Sequence, residues 1–136
     1  MSKFIRRNNS IIQNFGQQWN LYPDNNGFYG SIDALKNIVS PLLNFEDIQE
    51  KEILDVGSGT GRYTLMLHQA GACQIVAIEP SSAFNVLKNN TKHLGNVYCY
   101  QSDAEDIYQK HAFDMVFCIG VLQFITDPIP ALKSMG

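Results

Sequence analysis

With 136 residues, 45% of them hydrophobic and 17% charged, the chain has room for one globular domain and too little for two. A net charge of −3 argues against a nucleic-acid backbone as the main partner, because phosphate binding needs clustered Lys and Arg. The one small basic group, Lys3, Arg6 and Arg7, reads as a solvated helix turn.

The three cysteines, Cys73, Cys99 and Cys118, form no CxxC pair and lie in or beside apolar segments, so they are expected to be reduced core fillers. The opening MSKFIRRNNS lacks an apolar leader and no run of 18 apolar residues follows, so a cytoplasmic chain without a membrane span is expected. No Cys/His cluster points to a metal.

In chain order, Phe4, Ile5, Ile12, Phe15 and Trp19 mark one side of a helix over residues 4–20. A turn-rich loop, Leu21 to Gly27, follows. Ser31 is a predicted N-cap for a helix with Leu35, Ile38, Val39 and Leu42 on one face, ended near Pro41. From residue 51 the pattern alternates between strand and helix. Strands are predicted at 53–56, 75–78, 97–100 and 113–119. Helices are predicted at 63–70, stopped by Gly71, after Ser81 with Phe84 and Leu87 inward, and after Asp127-Pro128. Such alternation predicts an α/β fold with a parallel sheet. The division is residues 1–50, an N-terminal helical lid, and residues 51–136, a Rossmann-like core.

The most informative stretch is Ile53-Leu54-Asp55-Val56-Gly57-Ser58-Gly59-Thr60-Gly61-Arg62, a strand running into three alternate glycines with a helix behind them. Glycine serves where a chain turns sharply or lets a ligand approach its backbone. The helix start is expected to aim free N–H groups at that ligand. The dinucleotide fingerprint G-x-G-x-x-G fails, because its third glycine would fall on Arg62. Glu79 ends the second strand 18 residues after Gly61, where a carboxylate can accept both hydroxyls of a ribose.

The run ILDVGSGTGRYT resembles motif I of class I S-adenosylmethionine-dependent methyltransferases, of the small-molecule (type 11/12-like) group. The resemblance continues in motif order through residue 136. It implies that Asp55, Gly57, Ser58, Gly59 and Gly61 hold the methionine and ribose portions of S-adenosylmethionine. It also places Glu79 on the ribose and Pro80-Ser81 near adenine. Ser102-Asp103-Ala104-Glu105-Asp106 resembles the adenine-reading segment, with Asp103 and Ala104 in the recognition positions, Glu105 beside them and Asp106 starting a helix. Phe113 to Phe124 resembles motif IV, whose strand end, Cys118, Ile119 and Gly120, is expected to line the cofactor cleft. Asp114, at the start of that strand, is assigned a structural role.

Many relatives carry histidine after the valine-leucine pair. Gln123 and Phe124 stand there in this chain, and neither takes a proton near neutral pH, so no general base is assigned. His68, His93 and His111 are expected to be surface or structural. Trp19, Tyr22 and Tyr29 are read as lid aromatics over the cofactor or acceptor.

A complete fold of this class has seven strands in the order 3-2-1-4-5-7-6. Four are expected in this chain, with C-terminal truncation and self-association through a long apolar fourth-strand edge. The expected function is methyl transfer to a small-molecule or glycan acceptor, without nucleic-acid or membrane partners. The alternatives are a nicotinamide-type oxidoreductase fragment and a remnant that binds cofactor without activity.

Overall fold

The computed structural model describes residues 3–107 and 112–136; His111 lies outside them. Helix α1 (Lys3–Leu21) is followed by a loop, a short 3-10 turn (Phe28–Gly30), α2 (Ile32–Val39) and α3 (Phe45–Ile48). The core then runs β1 (Glu52–Val56), α4 (Arg62–Gln69), β2 (Gln74–Ile78), α5 (Phe84–Thr91), β3 (Val97–Tyr100), β4 (Met115–Phe117) and α6 (Pro128–Met135). All strand pairs are parallel and the order is β3-β2-β1-β4. This Rossmann-like arrangement matches the first four strands expected from the sequence.

Alternation along β1 feeds two cores. Ile53 joins Leu35 of α2, Ile48 of α3 and Met66 and Leu67 of α4 on one face of the sheet. Leu54 and Val56 join Ile78 on the other, with Met135 of α6 packed against them. Helices therefore cover both faces, as a parallel sheet requires. The helix boundaries follow local chemistry. Ser31 accepts a hydrogen bond from the Ala34 N–H at 3.4 Å, and α2 stops two residues before Pro41. Gly71 closes the α4 end at φ 95°. Asp127 caps α6 through the Ile129 N–H at 3.1 Å, with Pro128 as its first helical residue.

Several expectations are corrected. Ile38 and Leu42 are 48% and 87% exposed, because α2 buries only the stripe of Ala34, Leu35 and Val39 and the chain leaves the helix before Leu42. Ser81 is not the N-cap of α5. It caps the preceding turn by accepting from the Ala83 N–H at 3.1 Å, and Ala83 itself precedes the helix. The fourth strand spans 115–117 rather than 113–119, since only Ile53 to Asp55 of β1 face it in register, so the long edge expected there is a short one. Asp106 stands in a turn, its N–H donating to the Asp103 carbonyl at 3.1 Å, and starts no helix among the described residues. Cys73 is exposed at the approach to β2, while Cys99 and Cys118 are half-buried.

Asp114 and His68 hold elements together. The Asp114 carboxylate accepts from the Glu52 N–H at 2.9 Å and its own N–H donates to the Glu52 carbonyl at 2.8 Å, which pins β4 to β1. His68 Nδ1 lies 2.8 Å from Asn96 Oδ1, joining α4 to the turn before β3. No helix among the described residues is long and apolar enough to cross a membrane.

Candidate functional site

A cavity of about 320 Å³ opens at the C-terminal ends of the strands, where ligands of open parallel sheets bind. Its floor is the turn after β1, Val56 to Thr60. Its walls are Glu79 to Ser81 after β2, Ser102 to Glu105 after β3 and Ile119 to Val121 after β4. The N-terminal segment supplies the roof through Ile11, Ile12, Phe15, Trp19, Asn25 and Tyr29. Phe15 and Phe124 meet edge to face, ring centroids 4.6 Å apart, tying α1 to the segment after β4. Asn20 Nδ2 donates to Ser82 Oγ at 2.8 Å on the far side.

The three glycines of the turn are required for different reasons. All have positive φ: 72° at Gly57, 55° at Gly59 and 87° at Gly61. A Cβ on Gly57 would stand 2.4 Å from a Val121 methyl, and one on Gly61 would meet Leu87 at 3.0 Å. Packing against protein thus demands those two. A Cβ on Gly59 would instead stand 3.5 Å from the Trp19 indole, an ordinary contact distance, so only its φ favours glycine there.

Four amides of the glycine turn have partners within the protein. Gly57 and Ser58 N–H both donate to the Ile78 carbonyl at 2.9 Å, Gly61 N–H to Ser58 at 2.8 Å, and Gly59 N–H to Glu79 Oε2 at 2.7 Å. These amides are consumed in shaping the bend. That suits a ligand without a pyrophosphate better than a dinucleotide, whose phosphates need open N–H groups.

Glu79 is buried and central. One carboxylate oxygen accepts from Gly59 N–H and the other from Ser81 N–H at 3.0 Å. A carboxylate offers about four lone-pair sites, so two remain for a diol. The chemistry of the donor set therefore fits a ribose. Asp103 sits at the same end, its carboxyl raised above the usual range by partial burial, then by Asp106 and by Glu79. Among the described residues, Arg62 is the single Lys or Arg lining the cavity, its guanidinium 4.7 Å over the Tyr63 ring and 2.9 Å from that hydroxyl. The cavity is thus acidic at one end and carries one cation by the turn.

Of the residues singled out in the sequence, the structure gathers Gly57, Ser58, Gly59, Glu79, Pro80, Ser81, Asp103, Ala104, Glu105, Ile119 and Gly120 around the cavity, with Trp19 and Tyr29 at its roof. Asp55, Gly61, Cys118 and Tyr22 do not line it. Asp55 points into the core beneath the turn, where it accepts from Thr64 Oγ1 at 2.6 Å and links β1 to α4. Gly61 is covered by α5, Cys118 turns towards the core on the α6 face of the sheet, and Tyr22 is 70% exposed. Burial pushes the thiols of Cys99 and Cys118 up, which disfavours the nucleophilic thiolate at both. The sequence reading passed over Asn25, Thr60 and Val121. Thr60 lies inside motif I and Val121 inside the motif IV run, one residue past the strand end assigned to the cleft, but nothing in the pattern marks Asn25.

Burial raises the Asp55 carboxyl to about 6, against its hydrogen bond from Thr64. A carboxyl raised in the fold is penalised when ionised, so the penalty is present above pH 6 and relieved as pH falls towards the ordinary 3.8. At about 1.4 kcal/mol per pKa unit the penalty at neutral pH is on the order of 3 kcal/mol. Asp55→Asn keeps an oxygen for Thr64 and removes the titration. The difference in Tm between wild type and D55N should move in favour of wild type between pH 7 and pH 4.5; a flat difference would contradict a buried, titrating Asp55.

A family model described as a methyltransferase domain matches residues 54–136. The tRNA U34 carboxymethyltransferase of Shewanella frigidimarina is 34% identical over 107 residues, covering 76% of this chain and 31% of that protein. The protein of the same name from Nautilia profundicola is 32% identical over 103 residues, 73% of this chain and 33% of that one. The chain thus spans about a third of the length of the curated relatives it matches. Among solved structures, one from Pyrococcus horikoshii shares the fold at TM-score 0.60 and 22% identity, over 76% of this chain and 53% of that chain. Protein arginine methyltransferase 10 of Arabidopsis thaliana superposes at TM-score 0.52 with 27% identity, over 62% of this chain and 25% of that chain.

These relatives overturn the expectation that nucleic acid has no part, since they are named for tRNA. Net charge misled because a sum over the chain says nothing about where basic groups cluster. Motif order, strand order and the domain match agree: the chain belongs to the class I S-adenosylmethionine-dependent methyltransferases.

Proposed function

We propose that the cavity over the glycine turn binds S-adenosylmethionine and that the chain is the cofactor-binding part of an enzyme that alkylates RNA. The observation that carries the cofactor is Glu79, a buried carboxylate held by Gly59 and Ser81 N–H groups with lone pairs left for a ribose. Asp103 and Ala104 would meet the adenine, and the glycine turn with Trp19 the methionine end. The RNA acceptor is carried over from the names of the relatives.

When bound, the cofactor supplies an electrophilic carbon on a sulfonium whose leaving group is a neutral thioether. The chain's own residues orient and exclude water. Trp19, Phe15 and Phe124 wall the cavity with aromatic surface, which shields a cationic centre from solvent and favours in-line approach. Gln123 is exposed and Phe124 carries no proton-accepting group, so catalysis rests on positioning in this part of the protein.

Calorimetric titration with S-adenosylhomocysteine and, separately, NADH tests the cofactor. Binding of the first and none of the second is expected; the reverse would overturn the reading. Incubation with methyl-tritiated cofactor and bulk tRNA tests the acceptor. Label that becomes acid-soluble on ribonuclease treatment is expected, and label confined to small molecules would refute an RNA acceptor.

A further inference from the structure

Two asparagines that belong to no motif converge on the glycine turn. Asn25, in the loop after α1, donates from Nδ2 to the Thr60 carbonyl at 3.1 Å, and its Oδ1 accepts from Thr60 Oγ1 at 2.5 Å. Asn90, on α5, donates from its own amide to that same carbonyl at 2.9 Å and to the Pro23 carbonyl at 2.9 Å. Thr60 is 5% exposed, and Thr60 and Asn25 both line the cavity. The loop is folded tightly on itself at this point: a Cβ on Gly30 would stand 1.7 Å from the Asn25 carbonyl oxygen. Asn25 is therefore presented from a fixed backbone.

The chemistry calls for asparagine. One short side chain must donate to a carbonyl and accept from a hydroxyl together, and aspartate lacks the donor while alanine lacks both. These bonds are part-buried, so an unmatched Thr60 carbonyl or hydroxyl is costly. They also join two parts far apart in sequence, the N-terminal loop and the turn after β1, at the cavity wall.

We infer that Asn25 is a positioning residue for the cofactor pocket, with Asn90 as its brace. It latches the loop of residues 22–30 onto Thr60, which sets Trp19 and Tyr29 over the cavity and fixes the far end of the glycine turn. The inference rests on the cavity being the S-adenosyl site. Closing that roof is part of binding, so breaking the latch lowers ligand affinity beyond any loss of stability.

The test measures S-adenosylhomocysteine affinity by calorimetry, Tm by circular dichroism, and hydrogen exchange of residues 22–30 with and without that ligand. Asn25→Ala, Asn25→Asp and Thr60→Val should each raise Kd about tenfold, the affinity ratio that corresponds to 1.4 kcal/mol. Each should also abolish ligand-induced protection of the loop. Thr60→Ser keeps the hydroxyl and should recover most of the affinity that Thr60→Val loses, and Asn90→Ala should raise Kd about threefold. The double variant N25A/T60V should bind no worse than N25A, because N25A already removes both bonds, including the hydroxyl bond that T60V breaks. Variants that lower Tm yet bind within twofold of wild type would show a structural role and overturn the inference while leaving the cofactor reading intact. If N25A fails to fold, T60V, T60S and N90A decide by the same criteria. Wild type that does not bind S-adenosylhomocysteine would sink the cofactor reading itself, and this inference with it.

Discussion

Gly57→Ala is expected to lower stability by about 2–5 kcal/mol and to abolish S-adenosylhomocysteine binding. Two independent costs add. The residue has φ 72°, a region that costs a non-glycine residue roughly 1–2 kcal/mol. The new methyl would also overlap Val121 at 2.4 Å, and overpacking of this kind costs roughly 1–3 kcal/mol. The second cost can be separated from the first. Val121→Ala removes the methyls that collide, so the double variant G57A/V121A should recover about half of the loss in a urea titration, and the remainder measures the backbone term. A single variant no less stable than wild type by more than 1 kcal/mol would show that the turn relaxes freely, which its hydrogen bonds to Ile78 argue against.

Glu79→Gln carries the second large effect. The carboxylate accepts one backbone N–H on each oxygen. The amide can accept on its oxygen alone, and its NH2 then faces a backbone donor, either Gly59 or Ser81. A buried donor without an acceptor costs roughly 1–3 kcal/mol. The lost oxygen also removes lone pairs that a ribose would use. Stability should fall by about 2 kcal/mol, and S-adenosylhomocysteine affinity should fall on the order of a hundredfold, as expected for about two charge-assisted hydrogen bonds. Glu79→Asp keeps both oxygens on a shorter stem and should lose affinity while retaining more stability than the Gln variant. Equal affinity in wild type and E79Q would remove Glu79 from the binding site.

Much of this architecture was legible because local signals agreed. The β3 limits, the Asp127-Pro128 helix start and the Gly71 stop depend on neighbours in sequence, and all three stand where the pattern put them. The misreadings came from contacts that pattern cannot carry. Leu42 kept the helical spacing of α2 although the chain had already left the helix. The apolar run at 113–119 marks burial, but its strand length is set by the partners β1 can offer. Strand alternation turns Asp55 to the face that carries Ile53, where Thr64 receives it, a contact that its place in the motif does not reveal.

The glycine motif was legible in position and only partly in cause. It reads as one device for approaching a ligand, whereas Val121 and Leu87 account for two of its three glycines. Asn25 was illegible for a different reason. A single asparagine in a polar loop carries no periodicity, and its partner Thr60 lies 35 residues away. Charge failed most plainly, because a sum of −3 says nothing about where an RNA meets a protein or which segment supplies the contacts.

The most direct measurement is a crystal of the chain soaked with S-adenosylhomocysteine. Density is predicted in the cavity with the ribose hydroxyls on Glu79, the adenine beside Asp103 and Ala104, and the amino-acid end along the glycine turn beside Trp19. A well-ordered cavity left empty at saturating ligand, or a ligand bound with its ribose away from Glu79, would contradict the assignment.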